Sequence, residues 1–181
     1  MENFEFTFTL FGLLLGLALT EPLAGIARAL KSRHRVRIGW PTALLGLTVS
    51  CDVVTFWMYG WSLRDEIKVS WPILFGGFLV TAVYYICAAM IFPDSVDEDH
   101  EAHFDRVKPL VLGGMVLCNA ALLGFVVHLV GLEPLLNGRA VIITWSLFPM
   151  AIAAALIKDR RVVIACLLWL IALYPLSAFW H

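Results

Sequence analysis

Six unbroken apolar runs dominate this chain, at roughly 7–29, 39–60, 70–92, 109–131, 140–157 and 162–180. A hydrocarbon core about 30 Å thick needs roughly 20 mostly apolar residues to be crossed as a helix. Lipid offers no partner for an unpaired N–H or C=O, so runs of this kind close their backbone hydrogen bonds internally, as helices. The alternating polarity of a transmembrane barrel strand is absent. The expected fold is therefore all-α: a polytopic integral membrane protein, a six-transmembrane-helix bundle. Short connections make residues 1–181 a single membrane domain. The chain is 61% hydrophobic and 15% charged, whereas soluble domains run near 45–50% and about 25%. That contrast excludes a disordered chain, a nucleic-acid-binding domain and a typical soluble enzyme.

Prolines mark the expected boundaries. Pro41, Pro72 and Pro109 stand at or just after helix starts, where a missing N–H costs nothing. Pro93 and Pro134 fall just past helix ends, while Pro22, Pro149 and Pro175 lie inside runs and should kink them. Trp40, Trp57, Trp61, Trp71 and Trp180 fall near the interfaces that amphipathic rings prefer. The first run carries Glu2 and Glu5 ahead of it and no Lys or Arg, the wrong sign for a signal peptide, so it is expected to stay as the first helix.

Thirteen basic residues set the orientation. Arg28, Lys31, Arg33, Arg35, Arg37, Arg106, Lys108, Lys158, Arg160 and Arg161 share one side, against Arg64, Lys68 and Arg139 on the other. The positive-inside rule makes the first side cytoplasmic and both termini non-cytoplasmic. Cys51, Cys87, Cys118 and Cys166 fall in four different runs, as small buried residues rather than a disulfide framework. Small residues four apart on the first helix, Gly12, Gly16, Thr20 and Ala24, let a second backbone come close, inside the bundle or across a homo-oligomer interface. Ala82-Val83-Tyr84 and Ala172-Leu173-Tyr174 share a short pattern. Chance similarity between apolar helices accounts for it.

Two carboxylates lie deep in the runs. From the cytoplasmic ends Glu21 is about 12 Å deep and Asp52 about 20 Å deep. A charge there costs several kcal/mol, so each should face the bundle interior or a hydrated cavity. No Lys or Arg sits mid-run. Each acid is then protonated, hydrogen-bonded to neutral groups, or matched by a mobile cation. Tyr84, Tyr85, Asn119, Thr48 and Ser50 are the neutral candidates. The longest cytoplasmic connection holds an expected amphipathic segment over 95–107. Ser95 and Glu98 have capping-box spacing there. His100 and His103 share its apolar face and are candidates for a regulatory pH sensor or divalent-metal site, although a solvated acidic linker is the simpler reading.

No nucleophile elbow, phosphate loop, dinucleotide motif or zinc-protease motif occurs. Only His128 lies within a run, so a bis-histidine haem is not expected, and no cofactor is. In general layout the chain looks like small multi-pass proteins of the bacterial inner membrane, and no motif narrows that to a family. The expected function is a channel or transporter for protons or cations. Its pathway would use Glu21, Asp52, Tyr84, Tyr85 and Asn119. The expected partners are the lipid bilayer, further copies of the chain and the transported ion, with no nucleic acid. A non-transporting interaction or scaffold subunit is the alternative, and a lipid- or cofactor-handling enzyme ranks last.

Overall fold

The computed structural model describes residues 2–32, 39–67, 70–93 and 99–180. It is 87% helix, with no strand among the described residues. Six helices are long and apolar enough to cross a membrane, the make-up of an integral membrane protein. They are α1 (Glu2–Ser32), α2 (Trp40–Ser62), α3 (Trp71–Met90), α4 (His100–Val130), α5 (Gly138–Leu156) and α6 (Arg160–Phe179). Around the bundle α1 packs on α3, α3 on α4, α4 on α5, α5 on α6, α6 on α2 and α2 on α1. Contacts between α2 and α4 cross the middle.

Two faces are told apart by their contacts. At one, Phe8 of α1 stacks on Trp57 of α2, and Arg139 of α5 bonds Ser177 of α6. We call this the terminal face, because α1 begins and α6 ends there. At the opposite, basic face the Lys108 ammonium donates to the Ile157 carbonyl at 2.8 Å, capping the C-terminal end of α5. Asp105 lies 3.3 Å from the same nitrogen. Arg160 sits over the Phe104 ring and pairs with Asp105 at 3.5 Å. A cation at a helix C-terminus answers both the unpaired carbonyls and the dipole.

In lipid, helices associate through close fit and not through water exclusion. The fit here depends on glycines facing aromatic rings. A Cβ on Gly25 would lie 2.1 Å from Phe92, and one on Gly77 would lie 2.3 Å from Phe11. The buried stripe of α1 is Leu15, Ala18, Pro22 and Gly25, at helical spacing. Gly16, Thr20 and Ala24 flank it and are exposed. Of the small-residue stripe read from the sequence, Gly12 lies against Trp57, while a Cβ on Gly16 would meet nothing within 4 Å.

Three boundaries differ from expectation. First, α4 runs unbroken from His100, so the stretch from residue 100 to 107 is its first two turns and not a separate segment. Asp99 caps it by accepting from the N–H groups of Glu101 and Ala102; Ser95 and Glu98 lie outside the described residues. Second, Pro109 is consequently inside a helix and not at its start. Gly131, at φ 81°, ends that helix in a backbone region that glycine adopts without strain. Third, α5 is interrupted: after Gly138–Ala140 comes a π-helical turn, Val141–Trp145, before Leu147–Leu156. Pro149 has no N–H to offer the Trp145 carbonyl four residues back, which favours a break at this point.

Candidate functional site

Asp52 is 2% exposed. It stands twelve residues from the start of α2 and ten from its end, about 18 Å and 15 Å along the axis. Its carboxylate is an acceptor for three neutral donors from three other helices. Tyr84 of α3 donates to Oδ2 at 2.8 Å, Asn119 of α4 donates to the same oxygen at 2.8 Å, and Tyr174 of α6 donates to Oδ1 at 3.1 Å. Asn119 spends its amide also on the Met115 carbonyl at 3.0 Å, which fixes the nitrogen toward both acceptors. The cluster thus ties α2, α3, α4 and α6 together at one depth.

A cavity of about 600 Å³ opens beside it. The helical stretches that line it run from about the level of Asp52 toward the terminal face: Ser50–Ser62 of α2, Asn119–Val126 of α4, Arg139–Phe148 of α5 and Leu173–Ala178 of α6. The other half of the bundle is filled. Leu45, Ile91, Val107, Val111, Leu167 and Ala154 are buried there. The result is a cleft with a carboxylate on its floor, lined toward the terminal face and backed by packed side chains toward the basic face among the described residues. Tyr174 lines the cleft, whereas Tyr84 is 1% exposed and lies on the filled side of Asp52. The π-helical turn contributes Ile143 and Thr144 to the wall; such turns recur at functional sites because they re-aim side chains.

No family model, curated protein or solved structure matches the chain. Function has to be read from the site alone.

Of the expected pathway residues, the structure brings together Asp52, Tyr84 and Asn119. Glu21 and Tyr85 are elsewhere. Glu21 flanks the buried stripe of α1, is half-buried and lines no part of the cleft. Among the described residues its side chain makes no hydrogen bond or ion pair. Tyr85 is 42% exposed; neighbours on a helix differ by about 100°, so Tyr84 and Tyr85 cannot both face Asp52. Thr48 and Ser50 donate to the Leu44 and Gly46 carbonyls of their own helix instead, a common choice for mid-helix hydroxyls.

The histidine pair sits on the inner side of the first turns of α4 with Phe104 and Val107, and Glu101 and Asp105 are exposed, as the polarity pattern implies. His103 Nε2 lies 3.1 Å from the Met90 carbonyl. The two ring nitrogens of His100 are buried with no hydrogen-bond partner. No group of three metal-ligating side chains gathers among the described residues.

Tyr174 and Arg139 are the site residues that the sequence reading missed. The signal for Tyr174 was the Ala-x-Tyr pattern shared with the third run, since both tyrosines of that pattern donate to Asp52. The two halves of the chain nevertheless pack differently: α1 lies on α3, while α4 lies on α3 and α5.

Proposed function

We propose that this chain is a carrier for protons or small cations in the bacterial inner membrane, with Asp52 as the ion-binding carboxylate and Tyr84, Asn119 and Tyr174 as the groups that hold it. The observation that carries this reading is a carboxylate at mid-depth, on the floor of a one-sided cleft, with three neutral donors and, among the described residues, no cationic side chain bonded to it. An acid placed so deep is expensive unless it serves a hydrated path. A one-sided cleft favours a carrier over a channel, because a channel needs a passage open at both ends and the basic half of this bundle is filled. The distribution of Lys and Arg supports a cytoplasmic basic face, so the cleft opens away from the cytoplasm. Glu21 has no part in the path. The test is ion flux into proteoliposomes loaded with a pH- or cation-sensitive dye. The wild type should carry flux and Asp52→Asn should carry about tenfold less or lower still; equal flux in both removes Asp52 from the mechanism.

A further inference from the structure

The cleft is much larger than a bare ion needs. At about 600 Å³ it falls within the roughly 300–1,000 Å³ range of small organic ligand sites. Its walls are largely apolar, with Leu122, Val126, Leu147, Phe148 and Leu173, and carry scattered hydroxyls such as Thr55 and Thr144, a make-up that suits an organic body better than the full oxygen shell of an inorganic ion. Only two lining side chains are charged among the described residues, and they have opposite signs: Asp52 on the floor and Arg139 nearer the terminal face. Helix α6 touches both, at points one turn apart. Tyr174 bonds Asp52, and the carbonyl of Ser177 accepts from Arg139 Nη2 at 2.8 Å. Three residues of helix are a rise of about 4.5 Å. A guanidinium has five N–H donors, and this hydrogen bond uses one nitrogen, which leaves the fork able to take an anionic group.

We propose that the cleft binds a small zwitterion, its ammonium end at Asp52, its anionic end at Arg139 and an apolar body between them. This rests on the reading of Asp52 as a cation-binding carboxylate and names the substrate class for it. A simple cation would meet Arg139 on the way in, and a simple anion would meet Asp52 at the floor; opposite charges on one ligand satisfy both. The apolar walls select against very polar bodies. The π-helical turn of α5 adds Ile143 and Thr144 to the wall.

Three probes of equal chain length separate the contributions: aminocaproate, hexylamine and caproate. Binding is measured by calorimetry on the full chain in lipid nanodiscs, with protein-free nanodiscs as the blank. Aminocaproate should bind at least tenfold more tightly than either singly charged probe, about 1.4 kcal/mol. Arg139→Gln should reduce aminocaproate to the level of hexylamine, and Asp52→Asn should reduce it to the level of caproate. Arg139 is exposed, so its variant is expected to keep the fold, checked by an unchanged thermal midpoint. Hexylamine or caproate binding the wild type as tightly as aminocaproate overturns the proposal. So does the absence of binding by aminocaproate, or its unchanged binding to a folded Arg139→Gln variant. Inorganic ion flux, measured without any organic probe, reports separately on the Asp52 reading: flux lost in Asp52→Asn with no zwitterion selectivity would sink this inference and leave that reading standing.

Discussion

Replacing Asp52 by Asn should remove function while leaving the fold, and the bonds show why. An amide oxygen at the Oδ2 position still accepts from Tyr84 and Asn119, now at 2.8 Å each. The amide nitrogen then takes the Oδ1 position, where the Tyr174 hydroxyl at 3.1 Å turns to accept. No hydrogen bond is lost in number. Three bonds change from charge-assisted to neutral, about 1 kcal/mol each. Against that loss, the protein no longer desolvates a buried carboxylate, a cost of several kcal/mol. The net change should stay within about 2 kcal/mol of the wild type, a midpoint shift of no more than about 8 °C for a chain this size. The effect on function is set by ion binding. A cation about 4 Å from the carboxylate is held by about 4 kcal/mol at an effective dielectric near 20. If only a third survives the cost of stripping water from the ion, flux at subsaturating ion still falls about tenfold. Thermal unfolding followed by tryptophan fluorescence and dye-reported flux in proteoliposomes measure the two sides. A folded Asp52→Asn variant with wild-type flux refutes the reasoning.

Further expectations follow from individual contacts. Tyr84→Phe removes a bond that is sealed from water and should destabilise by about 1–3 kcal/mol, whereas Tyr174→Phe leaves Oδ1 beside the cleft and should cost less than about 1 kcal/mol; chemical unfolding in detergent compares them. Gly25→Ala puts a Cβ against the Phe92 ring and should destabilise by about 1–3 kcal/mol, while Gly16→Ala, with nothing within 4 Å, should be neutral in the same assay. Lys108→Met leaves the Ile157 carbonyl without its donor and should lower stability by about 1–3 kcal/mol. Glu21→Gln should leave flux unchanged in the proteoliposome assay, because Glu21 lies outside the cleft.

The spans were legible because their cause is one-dimensional. About 20 apolar residues cross a bilayer whatever they pack against, and each of the six runs is covered by a spanning helix. Helix starts at Trp40 and Trp71 were marked by Pro41 and Pro72. Pro109 misled, because Asp99 offers a cap a full ten residues earlier and the chain continues through the proline. Asp52 stood out as an acid with no cation in reach. Its partners were only partly legible, since depth along a helix can be counted but rotation about it cannot when every face is apolar. That is why Tyr84 and Tyr85 were inseparable in the sequence, and why the Gly16 stripe stayed open between an interface across copies and packing inside the bundle, which Leu15, Ala18, Pro22 and Gly25 carry out. The cleft itself has no sequence signature. It is formed jointly by side chains of α2, α4, α5 and α6, together with the π-helical turn before Pro149.

In the carrier we propose, the level of Asp52 is reached from the terminal face and closed to the basic face. Cys51, which precedes Asp52 and lines the cleft, reports on it directly. In a variant that keeps only this cysteine, a membrane-impermeant thiol reagent applied to sealed, oriented vesicles should label Cys51 from the terminal face and not from the basic face. Labelling from the basic face, or from neither, would contradict the account.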